Sequence, residues 1–457
     1  MKQDSEEKVM RAVRKKKELD LLNGNIRNLF FRYFGTVIGA SCIPCAYGIV
    51  DMAVVGKYYG PDGTAAYTVV MPIFNIIYSL GILVGIGGSV LLSTERGKDP
   101  DNVKGRNQYF TAALIGACII GLAVWVIFWL FEDPLLLFFG ADEELLPLSR
   151  QYMNPIRIAA PVFVFDQLFA AFLRNDNAPG RATLAVLISG IFNVFGDLFF
   201  VFGLDMGIRG AALATSLGAC INLGVMLTHL LSKKNTLHLV RVQQFFVKTR
   251  QILTTGFATF FADFALFIVN VLFNRQIMKY LGTDALSVFG ILMNINTFVQ
   301  CCGYSSGQAA QPIFSVNFGA GKTGRIRETL RYAVGMAVVF GIGWTVLALV
   351  VPNAFVRLFM SPTDEVLAIA PRIIRTFGLA FLLLPFNVVS TYYFQSLMKP
   401  KTAFAVSVSR GLVLCAVFIF ALPALFGADA IWFTMPLSEA ITAVFAAVMM
   451  ARYTKKL

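Results

Sequence analysis

The sequence predicts an all-α integral membrane protein. Twelve transmembrane helices form two six-helix lobes related by a pseudo-twofold axis along the membrane normal. Three observations carry this expectation. The chain has 457 residues, 57% hydrophobic and 14% charged, more apolar side chain than a soluble fold of that size can bury. The apolar residues come in runs of ~20 or more, the length at which a helix crosses ~30 Å of hydrocarbon. The second half of the chain also repeats the first at a nearly constant offset.

The apolar runs fall at 29–56, 66–93, 109–131, 148–173, 182–203, 208–231, 250–280, 284–314, 330–351, 366–397, 403–425 and 430–451. None alternates apolar and polar residues over ~10 positions, as a barrel strand would. Of the 39 Lys and Arg, 29 lie in the N-terminal stretch to Arg32, at 96–106, 174–181, 233–250, 322–331 and 399–401, and at 452–456. These are alternate connections and both termini. The positive-inside rule then puts both termini in the cytoplasm of a cell whose plasma (inner) membrane the chain crosses. That placement accounts for the net charge of +13 without any nucleic acid partner. The first span is too long for the apolar region of a signal peptide, so no cleavable signal is expected. The stretch 2–24 reads either as a solvated tail or as an amphipathic helix on the anionic inner leaflet. The organisation expected is a cytoplasmic segment 1–28, an N-lobe 29–231, a cytoplasmic linker 232–249, a C-lobe 250–451 and a tail 452–457.

The repeat rests on four matches in order. "GPDGTAAYTVVMPIFN" from Gly60 parallels "GTDALSVFGILMNIN" from Gly282, and residues 138–152 parallel 358–373. The segments around Pro179 and Pro400 correspond, as do "FGLD" at 202–205 and "FGAD" at 426–429. The offset stays between 221 and 224. Six helices per unit put both halves into the membrane in the same orientation, leaving a cleft between two lobes as transporters do.

Polar residues inside the runs point to chemistry. An ionisable group at the bilayer centre costs at least ~2.5–3.5 kcal/mol, so it marks an ion or substrate pathway by default. Asp51 lies ~8 Å inside the end of the first span, Asp197 ~9 Å inside the end of the fifth, and Thr215 ~10 Å inside the sixth, at 1.5 Å per residue. Asn193 is one turn deeper than Asp197 on the same helix face. Four oxygen-bearing side chains on three helices thus reach similar depths. Carboxylate, amide and hydroxyl oxygens suit a hard cation such as Na⁺, and two close carboxylates equally suit a proton. The competing structural account is interhelical hydrogen bonding, strongest for Asn193 and Thr215. An offset of 222 carries Asp51, Asn193 and Asp197 onto Phe273, Cys415 and Ile419, so the cluster belongs to the first half alone. The second half has Asp263 on the seventh span, a candidate second coupling or drug-cation site. Arg157 and Asp166 are nine residues apart on the fourth span and need other partners, whereas Arg410 and Glu439 read as an ion pair. Arg275 near an outer end should snorkel.

Other patterns carry less. All seven cysteines lie in spans; Cys42 and Cys45 form C-x-x-C within a helix and read as small packing residues. "GYSSG" (Gly303–Gly307) lacks the strand–turn–helix setting and the nearby His base of a hydrolase. "GAGKT" from Gly319 lacks the first Gly of a phosphate loop. No catalytic set, cofactor or enzyme activity is expected.

At this level the chain resembles the MATE (multidrug and toxic compound extrusion) transporters of bacterial or archaeal type. The residues that carry the likeness are "IVDMAVVG" (Ile49–Gly56), Asn193 and Asp197 followed by "GIRGAALAT" (Gly207–Thr215), and "AAQPIFSVNFGAGK" (Ala309–Lys322). The resemblance covers nearly the whole chain. It implies a monomer in lipid that exports amphipathic, often cationic, small molecules by alternating access in exchange for Na⁺ or H⁺, with Asp51, Asn193, Asp197 and Thr215 as the cation site. In "GFATFFAD" Asp263 stands where some members carry Glu, and Ala258 stands where Pro is usual. Pro44, seven residues before Asp51, is a bend point. The alternative is a lipid-linked or polysaccharide exporter of the same superfamily, which would line its cleft with bases.

Overall fold

The computed structural model describes residues 20–456 apart from 140, 142, 144 and 360–363. For residues 42, 45, 46, 49, 60, 61, 64, 263, 266, 267, 283, 359 and 456 it describes the backbone alone. The reading of 2–24 as tail or surface helix therefore lies almost wholly outside the described residues, as do the Cys42, Cys45 and Asp263 side chains. The helices are α1 (Ile26–Lys98), α2 (Val103–Leu130), α3 (Glu132–Phe138), α4 (Leu146–Asn175), α5 (Pro179–Asp197), α6 (Gly207–Leu227), α7 (Phe245–Tyr280) and α8 (Gly282–Gly319). There follow α9 (Thr323–Val350), α10 (Pro352–Phe359), α11 (Asp364–Gly378), α12 (Leu384–Ser396), α13 (Pro400–Val408), α14 (Leu414–Phe426) and α15 (Thr434–Lys456). Short π-helical turns, Leu198–Gly203 and Ser409–Val413, follow α5 and join α13 to α14.

Helical assignment runs unbroken through α1, yet the chain reverses within it. The Tyr67 hydroxyl lies 3.4 Å from the Gly48 carbonyl, nineteen residues away, which a straight helix would hold ~28 Å apart. The expected connection at 57–65 is thus a tight helical reversal between two arms. Ten described segments are long and apolar enough to cross a bilayer. The first arm of α1 and the 36-residue α7 are consistent with the two remaining passes of a twelve-helix bundle. The connections expected at 132–147 and 352–365 hold the short helices α3 and α10, whose apolar residues let them lie against the outer ends of longer helices.

The duplication is visible in the packing. A Cβ placed on Gly81 would meet Val164 and Gln167, and one on Gly303 would meet Pro385 and Val388, the same positions 221 or 222 residues later. Gly190 faces Ile43, and its counterpart Gly411 faces Ala265. Glycine is needed at such crossings because helices approach to backbone contact.

The lobes meet at the end of the bundle that carries the basic connections. A Cβ on Gly87 would lie 2.1 Å from the Ile252 carbonyl oxygen, and one on Gly256 1.9 Å from that of Leu83. Gly97 and Gly319 make the same kind of crossing against Val316 and Thr94. Asn175 donates to the Gln311 side-chain oxygen at 3.3 Å, and Tyr109 to Gln251 at 3.0 Å. The bases at this face are largely structural. Lys322 and Arg325 reach the carbonyls of Leu22, Leu21 and Gly24, and the Asn317 amide also donates to Leu21. "GAGKT" is therefore a turn, with Gly321 at φ +68°, that grips the start of the chain. The linker is tied down by Asp176, which accepts from the Thr236 N–H at 3.0 Å and hydroxyl, and pairs with His229 at 2.8 Å. Both partners of that pair are buried.

Gly256→Ala is expected to destabilise the closed seam by about 1–3 kcal/mol, the usual cost of overpacking. A lower Tm, and faster maleimide labelling of a cysteine placed at buried Gln311, would register it. Unchanged labelling would mean that the helices are not held at this crossing.

Candidate functional site

The four polar residues predicted from depth meet in the first lobe. Asp51 projects from the first arm of α1, Asn193 and Asp197 from one face of α5, and Thr215 from α6. Asp51, Asn193 and Asp197 are buried, and Asp197 is fully inaccessible. Asn193 donates its amide to the Thr215 hydroxyl at 3.2 Å, and that hydroxyl donates to Asp51 Oδ2 at 3.4 Å. The Asp51 and Asp197 carboxyls lie within hydrogen-bonding reach of each other. Helix packing sets this up: a Cβ on Gly196 would lie 3.0 Å from that of Ala214, and one on Gly218 3.3 Å from the Ser189 hydroxyl, so α5 and α6 touch closely at both levels.

The oxygens outnumber the donors. Asp51 Oδ1, Asn193 Oδ1 and both Asp197 carboxyl oxygens are buried without a hydrogen-bond donor among the described residues. Buried polar atoms are normally satisfied, and an unpaired buried carboxylate is costly. No Lys or Arg pairs with either acid among the described ion pairs. The donor set of two carboxylates, an amide oxygen and a hydroxyl, with no His or Cys, fits a hard monovalent cation. It fits a proton equally, since one proton between the two carboxyls turns a repulsion into a hydrogen bond.

Sequence reasoning missed two neighbours. Tyr67, on the second arm of α1, and Tyr152, on α4, stack edge to face with centroids 5.5 Å apart. Both lie within electrostatic reach of Asp51 and Asp197, and Tyr152 contacts Thr215. Each tyrosine is just another apolar-run aromatic in the sequence; only the crossing of α4 with α1 and α6 brings them to the acids. In the second lobe the matching positions Phe273 and Ile419 are buried in an apolar cluster, and Cys415 is buried with its thiol donating to the Arg410 carbonyl at 2.9 Å.

Three of the other charges singled out, Arg157, Arg410 and Glu439, find partners. Arg157 pairs with Glu132 at 2.5 Å and Asn154 at 2.6 Å, and lies over the Trp129 ring at 3.9 Å. Arg410 donates to Glu439 at 3.0 Å, and Asn387 donates to the other carboxyl oxygen at 2.6 Å. Arg275 is exposed at its helix end, as snorkelling requires. Asp166 is buried, with Oδ1 lacking a donor among the described residues. In "GYSSG", Ser305 and Ser306 bond to carbonyls of their own helix at 2.6 and 3.1 Å.

Asp197→Asn is expected to preserve the fold and raise Tm, by ~1–3 kcal/mol in stability, because the amide gives Asp51 a donor and removes a like charge. Melting curves decide it; a variant less stable than wild type would mean that the carboxylate holds the helices together.

Comparison with known proteins agrees with this architecture. The MatE family profile matches residues 37–199 and 258–421, one match in each half. The multidrug export protein MepA of Staphylococcus haemolyticus is 24% identical over 411 residues, 89% of either chain. MepA of Staphylococcus aureus (strain NCTC 8325 / PS 47) is 24% identical over 416 residues, 88% of each. Among solved structures, an outward-facing multidrug resistance MATE family transporter superposes with a TM-score of 0.89 at 20% identity, covering 96% of this chain and 99% of that one. The MATE multidrug transporter DinF-BH gives a TM-score of 0.85 at 24% identity, covering 93% and 95%. With a family match in each lobe and the fold shared over nearly its whole length, this chain is a multi-pass membrane protein of the MATE transporter family.

Proposed function

We propose that the protein is a secondary active exporter of small amphipathic cations, driven by inward Na⁺ or H⁺ and working by alternating access. The observation that carries this reading is the Asp51–Asp197 pair: two facing carboxyls with unpartnered oxygens and no resident counter-charge. The named relatives export drugs, which favours the same cargo class here. The basic face, where the seam is closed, is the cytoplasmic one, and both termini lie there in the plasma membrane.

In this reading the cation enters from the outer side and settles on the pair, with Asn193 and Thr215 supplying further oxygen. Neutralising the pair removes the repulsion that separates the first arm of α1 from α5. That arm then repacks and the cargo site loses its shape. The coupling free energy is the difference in cation affinity between the two arrangements. Asp263 on α7, whose side chain lies outside the described residues, is the candidate second station for the cargo's positive charge. A lipid-linked or polysaccharide exporter would need free bases in the spans; Arg157 and Arg410 are each already held by a carboxylate.

The test is efflux of a cationic dye from proteoliposomes under separately imposed Na⁺ and H⁺ gradients. One gradient should drive efflux, and Asp51→Asn should reduce it about tenfold or more, as for loss of an interaction central to the cycle. Equal efflux by Asp51→Asn, or efflux indifferent to both gradients, would sink the proposal.

A further inference from the structure

The two elements that carry the facing acids, the first arm of α1 and the end of α5, are bridged a second time nearer the outside. Asp51, Val55 and Tyr58 stand at i, i+4 and i+7 on the first arm and so share one face. Tyr58 lies ~10 Å beyond Asp51, at 1.5 Å per residue, toward the end of the bundle away from the basic connections. From Asp197 the chain runs through the π-helical turn Leu198–Gly203 to Asp205. The Tyr58 hydroxyl donates to Asp205 Oδ1 at 2.5 Å, and the Tyr58 ring packs against Phe202 with centroids 6.0 Å apart. Along the chain, Val55 and Val201 separate this contact from the acids, and both are fully inaccessible. One interface thus holds a polar pair inside, an apolar layer, and a polar bridge at its mouth.

The turn is shaped to present Asp205. Asp205 has φ +54° and Gly207 φ +56°. Aspartate tolerates this left-handed region, whereas position 207 needs glycine, because a Cβ there would lie 2.6 Å from the Tyr59 hydroxyl. The Met206 N–H closes the turn on the Phe200 carbonyl at 3.0 Å. Tyr59 therefore seats the backbone of the turn while Tyr58 holds its acid. Asp205 is otherwise exposed, and no described ion pair joins it to a base. The second lobe carries the same two residues in other company. An offset of 222 takes Tyr58 to Tyr280, and 224, the offset at "FGLD", takes Asp205 to Asp429. There Asp429 pairs with Arg372 at 2.9 Å, and the Lys279 ammonium lies over the Tyr280 ring at 5.0 Å. A hydrogen bond that only braced a helix end would suit either lobe. Among the described residues it forms in the lobe that has acids beneath it.

We propose that Tyr58 and Asp205 form the outer gate of the cation path: hydrogen-bonded, they close the mouth above Asp51 and Asp197, and when Tyr58 swings away, Asp205 is the carboxylate that first receives the monovalent cation from outside. A single exposed hydrogen bond suits this task, since it biases the first arm of α1 toward the closed position without locking it there. The freed carboxylate raises the local concentration of cations at the mouth and repels anions. Opening also has to part Val55 from Val201, so water does not reach the acids while the bridge is made. This inference rests on the coupling role of the Asp51–Asp197 pair, but its main test needs no transport.

The experiment places a cysteine beneath the gate, Val55→Cys, in the purified full chain. Its labelling rate by a cationic (trimethylammonium) and an anionic (sulfonate) methanethiosulfonate is read at that residue by mass spectrometry. Adding Tyr58→Phe is expected to speed labelling by both reagents about fivefold, the effect of losing one hydrogen bond to a charged acceptor. Asp205→Asn keeps an acceptor for Tyr58 but removes the charge. It should leave the gate closed and lower the ratio of cationic to anionic labelling about fivefold. In proteoliposomes the same variant should need about fivefold more external cation for half-maximal efflux of a cationic rhodamine dye. Wild-type labelling in Tyr58→Phe, or an unaltered charge ratio in Asp205→Asn, overturns the gate. So does faster labelling that only follows a lower Tm. If Val55→Cys does not fold, Val201→Cys takes its place. Asp51→Asn, assayed for efflux in parallel, separates the two readings. Labelling that responds as expected while Asp51→Asn still transports keeps the gate and removes the acid pair from coupling; unresponsive labelling with efflux lost in Asp51→Asn removes only the gate.

Discussion

A carboxylate enclosed by hydrocarbon and helix has to be neutralised, and the two lobes meet that demand in different ways. In the second lobe a guanidinium stands beside Glu439, and an amide completes the shell. The result is a closed electrostatic unit that binds helices to one another. In the first lobe the acids Asp51, Asp197 and Asp166 stand at positions that are Phe273, Ile419 and Asn387 in the second, and no described ion pair joins any of them to a base. Duplication gives one scaffold; the placement of charge gives one half a closed ion pair and leaves the acids of the other without one among the described ion pairs.

The rest of the architecture serves that asymmetry. Glycines at 81, 85, 303 and 307 bring the second arm of α1 onto α4, and α8 onto α12, so that each lobe packs to backbone contact. Glycines at 87, 97, 256 and 319 then press the lobes together at their basic face. The two sets of contacts differ in kind. Within a lobe, glycine meets side chains and backbone along a whole helix; between lobes, it meets a carbonyl at isolated crossings. Isolated crossings over a short seam separate far more readily than a lobe comes apart.

Much of this was legible in the sequence. Apolar run lengths and the placement of Lys and Arg give the bundle, because the bilayer permits few alternatives. Depth counting brought Asp51, Asn193, Asp197 and Thr215 to one level, since helix rise is nearly invariant. What sequence could not supply was azimuth between helices: Tyr67 and Tyr152 join the acids only because of how α4 crosses its neighbours. Asp166 is an intermediate case. The offset that mapped Asp51 onto Phe273 also maps Asp166, within one residue, onto Asn387, a polar residue in both halves, so its polar setting was signalled but not its unpartnered oxygen. The reversal inside α1 was concealed for the opposite reason: "GPDG" looks like a loop, whereas the helical assignment runs on through it.

The grip of the "GAGKT" turn on the start of the chain has a mechanical consequence. Leu21, Ile26, Phe30 and Tyr33 are packed among Ala309, Ile313 and Phe314 of the second lobe, and Asn317, Lys322 and Arg325 hold the backbone just before them. From Thr36 onward the same helix is fastened to the first lobe, where Thr183 donates to the Thr36 carbonyl at 2.6 Å. The first arm of α1 is therefore a strap riveted to both halves, with Asp51 near its free end. Any change in the angle between the lobes has to be absorbed as flexure of this one rod. Its weakest cross-section is Pro44, which lacks the N–H that would stiffen the turn.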